Sequence, residues 1–546
     1  MKRSQNIYNI PENIVEEAID GLVFSSNNIA RLNGYPDIKV AVRSDWRQEI
    51  EGESEVAIIS GGGSGHEPAH GGLVGKGMLT AAVCGDIFAS PGVDSILSAL
   101  VHVTGRAGCL IILKNYTGDR IAFGLAAEKA KQMGLKVEVV MVGDDIALEG
   151  VPPRGLAGTL FIHKIAGAMA AKGASLAEIY QTVSGVCESI VSLGVSLSTC
   201  AIPGSAVEER IPVGKMEIGL GIHGEPGAET GDLLPADVLV EKIVVQLAEH
   251  LPPNTKYAVL INNLGSVSNL EMAVVVNALM KSSFHSSIDL LIGPSHLMTS
   301  LSMNGFSFSV LPITTSLREY LTFAIPEVPL WKPAVSPKMK QIELPQRLTT
   351  DFTPSQNFQV EKFIRSACEA LCEAEAELNT IDHKVGDGDT GSTFAKAAKG
   401  LLSLLSNLPQ NDPPRLSLAI GDSLSRLVGG SSGVLLSIFF TALSQAMEEN
   451  GENWGRTSVQ KGLAAMMKYG GAKLGDRTML DAMIPAAEAI DDGVEAMAKA
   501  AMAGVEKTKS IVKTRAGRSS YVPEQALCGV PDPGAVAIAI IIQSWL

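Results

Sequence analysis

The strongest chemical signal in the 546-residue sequence is a short segment in which glycines separate aspartates. Residues 382–393 read DHKVGDGDTGST, with three carboxylates among the first eight positions. Such like charges repel unless water or cations neutralise them, and Mg²⁺ binds a few carboxylates together with waters and phosphate oxygens. A solvated turn is the alternative, whereas an EF-hand calcium loop would need a Glu at the twelfth position. We expect Asp382, Asp387 and Asp389 to hold Mg²⁺ beside a phosphate, next to a helix beginning within residues 390–393.

Four further glycine-containing segments lie downstream of these aspartates. Residues 429–433 (GGSSG) precede an apolar helical pattern and could contact a phosphate, although a close helix crossing is the alternative. Residues 470–479 and 515–518 combine glycine with Lys and Arg, and residues 532–535 (DPGA) precede the last apolar stretch. Each segment alone is an ordinary turn. Together they predict a ring of loops around one nucleotide.

Two familiar nucleotide-binding motifs do not account for this site. Gly75-Lys76 is followed by Gly77 rather than Ser or Thr, so it is not a Walker A loop. Residues 219–224 and 386–391 match G-x-G-x-x-G, but neither follows a clear strand and opens a helix. The sequence therefore favours a different mode of nucleotide binding.

The first half of the chain carries candidates for binding a small polar ligand. Residues 60–68 (SGGGSGHEP) follow a β-branched run, and their glycines would let the backbone approach a ligand while His66 donates a hydrogen bond. Lys114 and Asp119 bracket another loop at a strand end. His223 stands between glycines, where a neutral imidazole could act as a base or add to a carbonyl; from spacing alone a structural role is equally compatible. Five histidines in helical or apolar contexts are predicted to be structural: His102, His163, His250, His285 and His296.

Composition narrows the function classes. Hydrophobic residues make up 46% of the chain and charged residues 19%, which is typical of a globular protein with more than one domain. The net charge of −14 argues against nucleic-acid binding, which needs clustered Lys and Arg. The seven cysteines form no C-x-x-C motif, the N-terminal residues do not resemble a signal peptide, and no apolar run approaches the ~20 residues of a membrane span. We expect a cytoplasmic protein without a membrane partner.

The pattern of elements changes along the chain. In the first 300 residues, short β-branched runs end in Gly, Asp or Asn loops before helical segments, which predicts a parallel α/β architecture with ligand groups at strand ends. Residues 331–357 are spaced by prolines and read as a linker. The remaining sequence is rich in Ala, Leu and Met and predicts an all-helical domain. The predicted helices cover 360–377, 392–405, 414–427, 433–448, 458–470 and 479–507.

These motifs resemble those of the dihydroxyacetone kinases, in the family's order and over nearly the whole chain. Three are similar to the family's substrate domain: SGGGSGHEP (60–68), KNYTGDR (114–120) and GLGIHGEPG (219–227). Five are similar to its nucleotide domain: DHKVGDGDTGST (382–393), GGSSG (429–433), GDRTMLDA (475–482), GRSSY (517–521) and DPGA (532–535). The resemblance implies the single-chain, ATP-dependent type of the family.

In the substrate domain, the resemblance assigns the role of nucleophile to His223, whose imidazole would hold the ketone as a hemiaminal. Asp119 would accept the proton of the attacking terminal hydroxyl, while His66 and Lys114 would hold substrate oxygens. The implied catalytic residues are thus His223, Asp119, His66 and Lys114. The implied substrate-binding positions are Gly63, Ser64, Gly65, His66, Lys114 and Asp119.

In the nucleotide domain, the resemblance assigns two Mg²⁺ ions to Asp382, Asp387 and Asp389, where they would bridge the phosphates of ATP. It also implies an eight-helix barrel and a homodimer. The implied nucleotide-binding positions are Thr390, Gly391, Ser392, Thr393, Ser431, Ser432, Gly470, Met479, Arg518, Asp532, Pro533 and Gly534.

The sequence therefore predicts three segments and one reaction. An α/β substrate domain of the K type, with two subdomains, covers residues 1–330; a linker covers 331–357; a helical nucleotide domain of the L type covers 358–546. The expected reaction is phosphoryl transfer from ATP to dihydroxyacetone, with glyceraldehyde as a second acceptor. Two alternatives stay open: a sensor that captures carbonyl trioses without phosphorylating them, and an FMN-cyclase activity of the nucleotide domain.

Overall fold

The computed structural model describes residues 6–205, 210–344, 352–428, 430–451, 455–515 and 518–546, with the backbone alone at 430, 518 and 519. The chain divides into two compact units, residues 1–340 (unit 1) and 341–546 (unit 2). Unit 1 alternates strands and helices, whereas the described elements of unit 2 are helices. The predicted fold class, α/β followed by all-α, is confirmed. In the part of the chain that is described, no helix combines the length and apolarity needed to cross a membrane.

Unit 1 contains nine α-helices and twelve strands among its described residues. The strands are β1 Ile29–Arg31, β2 Val40–Arg43, β3 Ala57–Ser64, β4 Ala81–Ile87, β5 Cys109–Lys114, β6 Val137–Val142, β7 Val191–Ser196, β8 Lys215–Ile218, β9 Glu229–Asp232, β10 Tyr257–Asn263, β11 Ile288–Ser295 and β12 Gly305–Pro312. The helices are α1 Ile14–Phe24, α2 Glu51–Ser54, α3 Val93–Val103, α4 Thr117–Gln132, α5 Thr159–Ala171, α6 Leu176–Cys187, α7 Ala236–Glu249, α8 Asn269–Lys281 and α9 Thr315–Thr322.

The first sheet of unit 1 has the strand order β1-β2-β4-β3-β5-β6. Strands β4, β3, β5 and β6 run parallel, while β1 and β2 add an antiparallel edge. Neighbouring residues of β3 and β5 face opposite cores: Ile58 and Ile112 lie in one, Ile59 and Ile111 in the other. Burial on both faces is typical of parallel sheets. The carboxyl ends of β3 and β5 consequently meet at one edge, as the sequence predicts for ligand groups.

The second sheet has the order β11-β10-β12-β7-β8-β9 and differs from the predicted parallel architecture. Only the β10–β11 pair is parallel; the other four described pairs are antiparallel. The prediction was wrong here because β8 and β9 form a hairpin-like pair without a crossover helix. The connection between β8 and β9, residues 219–228, carries His223.

The glycine segment after residue 59 also differs from its predicted form as a loop. Strand β3 continues to Ser64, and Gly61 and Gly62 pair with Val83 and Cys84 of β4. An added Cβ at Gly61 would lie 2.3 Å from the carbonyl oxygen of Val83. Glycine therefore serves here to bring backbones close together within a sheet, a use that β-propensity does not anticipate.

Unit 2 is built from helices around a common core. They are α10 Phe358–Glu373, α11 Glu375–Val385, α12 Thr390–Leu404, α13 Pro413–Leu427, α14 Gly430–Asn450, α15 Gly455–Gly470, α16 Leu480–Glu488, α17 Val494–Thr508, α18 Glu524–Leu527 and α19 Pro533–Gln543. They surround an apolar cavity of about 420 Å³, whose lining includes Phe363, Leu371, Phe439, Ile538 and Trp545.

The structure shows the form of two predicted segments, the helix over 479–507 and the start of the linker. The helix predicted over 479–507 is two helices, α16 and α17, because Gly493 takes a φ of 91° after a 3-10 turn and ends the first helical run. In the predicted linker, Trp331 is buried, and Val335 exchanges two backbone hydrogen bonds with Leu291 of β11. The start of that segment thus packs on unit 1, while residues 345–351 lie outside the described part.

The close packing of α17 on α16 gives a stability prediction. A Cβ on Gly504 of α17 would lie 1.9 Å from the carbonyl oxygen of Asp481. We expect Gly504→Ala to lower the free energy of unfolding of unit 2 by about 1–3 kcal/mol or more, since the helices must separate. Calorimetry of the full chain measures this as a lower unfolding temperature of one transition. Gly455→Ala, whose Cβ meets nothing within 4 Å, is the matched control; equal effects of both substitutions would contradict the packing argument.

Candidate functional site

A buried ammonium and a buried carboxylate both lie beside the glycine strand of unit 1, next to Gly62. Lys114 ends β5 and Asp119 lies in the first turn of α4; they are 1% and 4% exposed. A Cβ on Gly62 would lie 3.0 Å from Lys114 Nζ and 3.3 Å from Asp119 Oδ2. Gly62 also has a φ of 143°, which disfavours other residues. Only glycine leaves this space between the two charges open.

Both charged groups have neighbours that fix them. The Ser90 hydroxyl donates a 2.5 Å hydrogen bond to Asp119 Oδ1. Burial lowers the pKa of Lys114, and the negative charges of Asp119 and Asp144 oppose that effect. The sequence prediction that Lys114 and Asp119 share one site is supported by this geometry, although Asp119 lies in a helix rather than in the predicted loop.

His66 follows β3 and is fully buried. Its Nδ1 is 2.8 Å from the carbonyl oxygen of Thr299, which can only accept a hydrogen bond, so Nδ1 carries the proton. Burial, the charge of Lys114 and the nearby His223 hold the pKa of His66 well below its usual range. Neutral His66 therefore presents the lone pair of Nε2. The expected hydrogen-bond donation from His66 to a ligand is replaced by acceptance.

His223 is brought to His66 from the second sheet of unit 1. Its Nδ1 lies 3.0 Å from Oε1 of Glu225, and its backbone N–H donates to Oε2 of the same carboxylate. Burial of Glu225 would raise its pKa, but the hydrogen bond and charge of His223 outweigh it, and the pKa falls below the ordinary value. A carboxylate on Nδ1 fixes the tautomer in which Nε2 carries the lone pair.

The two imidazoles meet at their lone pairs. His66 Nε2 and His223 Nε2 are 3.1 Å apart, and Tyr116 and Phe88 pack edge-on against the His223 ring. A proton on His223 Nε2 would form a hydrogen bond to His66, whereas the neutral tautomer leaves the His223 lone pair open to an electrophile. The structure thus brings His66, Lys114, Asp119 and His223 together within one unit.

The three other predicted substrate residues make contacts within the protein. The Ser64 hydroxyl donates to the carbonyl oxygen of Gly85 (2.8 Å), and the Gly65 amide donates to a Glu67 carboxylate oxygen (2.9 Å). Gly63 packs against the backbone of Phe88, which a Cβ would approach to within 2.8 Å. Their contact with substrate stays a prediction.

Sequence reasoning missed three residues of this site. Glu225 orients His223, Tyr116 packs on its ring, and His70 contacts the Lys114 ammonium at 2.7 Å. The glutamate lies two residues after His223, a spacing from which a short-range hydrogen bond could have been anticipated. His70 gave no such signal, because its partner is 44 residues away.

Unit 2 contains the three aspartates predicted to bind metal. Asp382 lies in α11 and is buried, while Asp387 and Asp389 are exposed in the connection to α12; one carboxylate oxygen from each lies within 4.8 Å of the others. Oδ2 of Asp382 accepts hydrogen bonds from the amides of Asp389 and Thr390, which holds the loop in place. The residues fit Mg²⁺, which prefers carboxylate oxygens with open positions for water and phosphate.

The predicted start of helix α12 is confirmed at Thr390. The Ser392 amide donates to Asn379 and its hydroxyl to Glu375. Ser431 and Ser432 lie in the first turn of α14, and Gly470 ends α15. Gly429 and the side chain of Arg518 are outside the described residues. Thr393 and Gly391 belong to the first turn of α12, as predicted.

The loops before α16 and α19 converge on a buried arginine. Arg477 was predicted to belong to a cationic loop but is 1% exposed, and its guanidinium donates to the backbone carbonyls of Thr508 and Leu527. Asp532 caps α19 by accepting from Ala535; burial raises its pKa to about 7, with a further contribution from the Asp382 charge. This proximity places the DPGA loop beside the aspartate cluster. Pro533 begins α19, and Gly534 packs on Met479.

The aspartate cluster gives a metal-binding prediction. We expect Asp387→Asn to weaken the binding of Mn²⁺, used as a probe for Mg²⁺, at least about tenfold, because one of three anionic ligands is lost. Titration of the full chain followed by electron paramagnetic resonance measures the free ion. Asp491→Asn, which removes an exposed carboxylate paired with Arg456, is the control. Unchanged affinity after Asp387→Asn would remove this residue from the metal site.

Comparisons with known proteins agree with the geometry of both units. Residues 20–326 match the family described as the Dak1 domain, and residues 384–546 match the DAK2 domain. The chain is 45% identical to dihydroxyacetone kinase of Citrobacter freundii over 99% of both chains, and 37% identical to human triokinase/FMN cyclase over 100% of this chain and 99% of that one. The crystal structure of the C. freundii kinase in complex with AMP-PNP and Mg²⁺ matches with a TM-score of 0.82 and 44% identity, over 99% of both chains. The chain therefore belongs to the dihydroxyacetone kinase family.

Proposed function

We propose that this protein transfers the γ-phosphoryl group of ATP to a terminal hydroxyl of dihydroxyacetone. The observation that carries the proposal is the convergence of His223, with a lone pair on Nε2, and the buried pair Lys114 and Asp119. A nucleophile, a cation and a carboxylate base at one site suit a small molecule that has both a carbonyl and a hydroxyl group. The names of the relatives support the same substrate.

The imidazole of His223 captures the carbonyl carbon. The Nε2 lone pair forms the N–C bond, the π electrons of the carbonyl move to oxygen, and that oxygen takes a proton from solvent, to which the proton released from Nδ1 is finally returned. His223 Nδ1 then gives its proton to Glu225, 3.0 Å away, so that the adduct is a neutral hemiaminal. His66 Nε2, 3.1 Å from the reacting nitrogen, accepts a hydrogen bond from a hydroxyl of the triose.

Asp119, Ser90 and Lys114 act on the hydroxyl that is phosphorylated. Asp119 accepts its proton, and the hydrogen bond from Ser90 holds the carboxylate in a single orientation. Lys114 donates to a substrate oxygen and stabilises its negative charge. Glyceraldehyde, whose aldehyde also reacts with an imidazole, is proposed as a second acceptor.

The nucleotide is proposed to bind in unit 2. Asp382, Asp387 and Asp389 would hold two Mg²⁺ ions, which neutralise the phosphate charge when bound. The loop amides and hydroxyls of residues 390–393, 431–432 and 532–534, with Gly470, Met479 and Arg518, would contact the nucleotide. Phosphoryl transfer requires mainly that the two reactants be positioned and that the negative charge of the phosphates be neutralised. The proposed ligands and ions would serve these two purposes.

Further parts of the proposal rest on the resemblance to the family. On this basis we propose that the protein is a cytoplasmic homodimer. We also propose that a linker, residues 331–357, joins a domain of residues 1–330 to a domain of residues 358–546. The described cysteines are free thiols, which suits a reducing compartment.

A coupled assay for ADP release tests the reaction. We expect turnover with Mg-ATP and dihydroxyacetone or glyceraldehyde, and little with glycerol, which has no carbonyl for His223. His223→Ala should reduce kcat/KM for dihydroxyacetone at least about 100-fold, the order of loss typical for a covalent nucleophile, without changing the affinity for ATP. His296→Ala, an exposed histidine elsewhere in unit 1, is the control.

Two results of this assay would contradict the proposed reaction or its covalent step. Capture of dihydroxyacetone without ADP release would favour a carbonyl-binding sensor. Unchanged kinetics of His223→Ala at micromolar substrate would exclude the covalent step.

Glu225 gives a sharper test of the same step. Glu225→Gln keeps an acceptor for Nδ1–H but cannot take its proton, so we expect kcat/KM for dihydroxyacetone to fall at least about tenfold. The KM for ATP should stay constant. Glu229→Gln, in the adjacent strand and paired with Lys242, serves as the matched control. Wild-type kinetics in Glu225→Gln would show that the carboxylate takes no part in proton transfer.

A further inference from the structure

A second buried histidine of unit 1, His70, has a contact that the mechanism above leaves unused. His70 is 5% exposed and Lys114 1%. His70 Nε2 lies 2.7 Å from Lys114 Nζ, and its Nδ1 lies 3.4 Å from the Ser60 hydroxyl. Ser60 belongs to β3 and Lys114 to β5, so the imidazole bridges two neighbouring strands of the first sheet.

The partners of His70 fix its tautomer. An ammonium can only donate, so Nε2 must hold a lone pair and accept from Lys114. The Ser60 hydroxyl gives its hydrogen to the carbonyl oxygen of Ile112 (2.8 Å), which leaves its oxygen to accept from His70 Nδ1–H. Burial and the charge of Lys114 hold the pKa of His70 well below its usual range, so the ring is neutral. Each hydrogen bond in this chain of contacts therefore has a defined donor and a defined acceptor.

This arrangement determines what the Lys114 ammonium can offer. Within the described part of the chain, Lys114 Nζ makes one hydrogen bond, to His70 Nε2, and its two other hydrogens remain for the triose site. Asp119 Oδ2 borders the same space beside Gly62, where an added Cβ would lie 3.0 Å from Lys114 Nζ and 3.3 Å from Asp119 Oδ2. An ammonium that rotated onto Asp119 would lower the basicity of that carboxylate. A neutral acceptor restrains the ammonium without adding a competing charge.

We infer that His70 is a positioning residue for triose phosphorylation. It holds the Lys114 ammonium toward the substrate oxygen and away from Asp119, so that the cation and the base act separately. The kinetic part of this inference rests on the proposed function. The tautomer of His70 follows from the contacts alone.

Two isosteric substitutions separate this role from simple packing. The amide of Gln reaches the position of the imidazole Nε2, whereas the amide of Asn reaches only that of Nδ1. His70→Gln therefore keeps an acceptor for Lys114, and His70→Asn keeps only the contact with Ser60. We expect His70→Asn to lower kcat with dihydroxyacetone about 10- to 100-fold, as for the loss of a hydrogen bond to a charged group. His70→Gln should stay within about threefold of wild type, and the KM for ATP should be constant in both.

The results with these two variants distinguish a positioning role of His70 from a packing role. Equal losses in both variants would assign His70 a packing role, and wild-type kcat in His70→Asn would remove it from catalysis. If both variants fail to fold, or if the wild-type chain phosphorylates no triose, nitrogen NMR of ¹⁵N-histidine-labelled wild-type protein tests the arrangement directly. The expected signal is a neutral Nδ1–H tautomer for the buried ring in contact with Lys114, identified by selective ¹⁵N labelling of lysine and histidine. A neutral Nε2–H tautomer would overturn the inference, because two donors would then face each other.

Discussion

The triose site of unit 1 depends on a constraint on two hydrogen atoms. His66 Nδ1–H donates to the carbonyl oxygen of Thr299, and His223 Nδ1–H donates to the carboxylate of Glu225. Both acceptors lack a hydrogen to give, so a neutral ring carries its lone pair at Nε2 in each case, and these two nitrogens lie 3.1 Å apart. In the proposed reaction, the carbonyl carbon bonds to one nitrogen and a hydroxyl of the same molecule donates to the other, so a hydroxyketone would satisfy both.

The same site shows why a run of glycine is placed inside a strand. Charged side chains are rarely buried without a partner; Lys114 at the end of β5 and Asp119 in the first turn of α4 are 1% and 4% exposed, and His70 and Ser90 are their partners. Gly62 supplies the space between them, and the pairing of Gly61 with Val83 keeps β3 close to β4. The sheet provides rigidity and the glycines provide the volume. A flexible loop of the same composition would give space without holding the charges in register.

The sequence allowed the fold class and the aspartate cluster to be predicted, and it pointed to His66, Lys114, Asp119 and His223, whose roles belong to the proposed function. These features depend on local patterns: Gly-separated Asp residues, strand-end loops, and motifs of seven or more residues. The antiparallel second sheet and the extension of β3 through the glycines depend on which strands pair, which no local pattern specifies. The burial of Arg477 could not be predicted either, because it also depends on contacts between residues that are distant in sequence. A cation in a glycine loop predicts a phosphate contact, whereas this guanidinium binds backbone carbonyls of Thr508 and Leu527, distant in sequence.

His70 illustrates the limit of motif-based assignment most clearly. It lies four residues after His66, and nothing in the spacing distinguishes the histidine proposed to contact the substrate from the one that contacts Lys114. The difference arises from the partner of each ring: a carbonyl oxygen for one Nδ1 and a serine hydroxyl for the other. Both rings carry a lone pair at Nε2, but only that of His70 accepts a hydrogen bond from the Lys114 ammonium. In a buried site, the direction of each hydrogen bond therefore assigns a role that residue type alone leaves open.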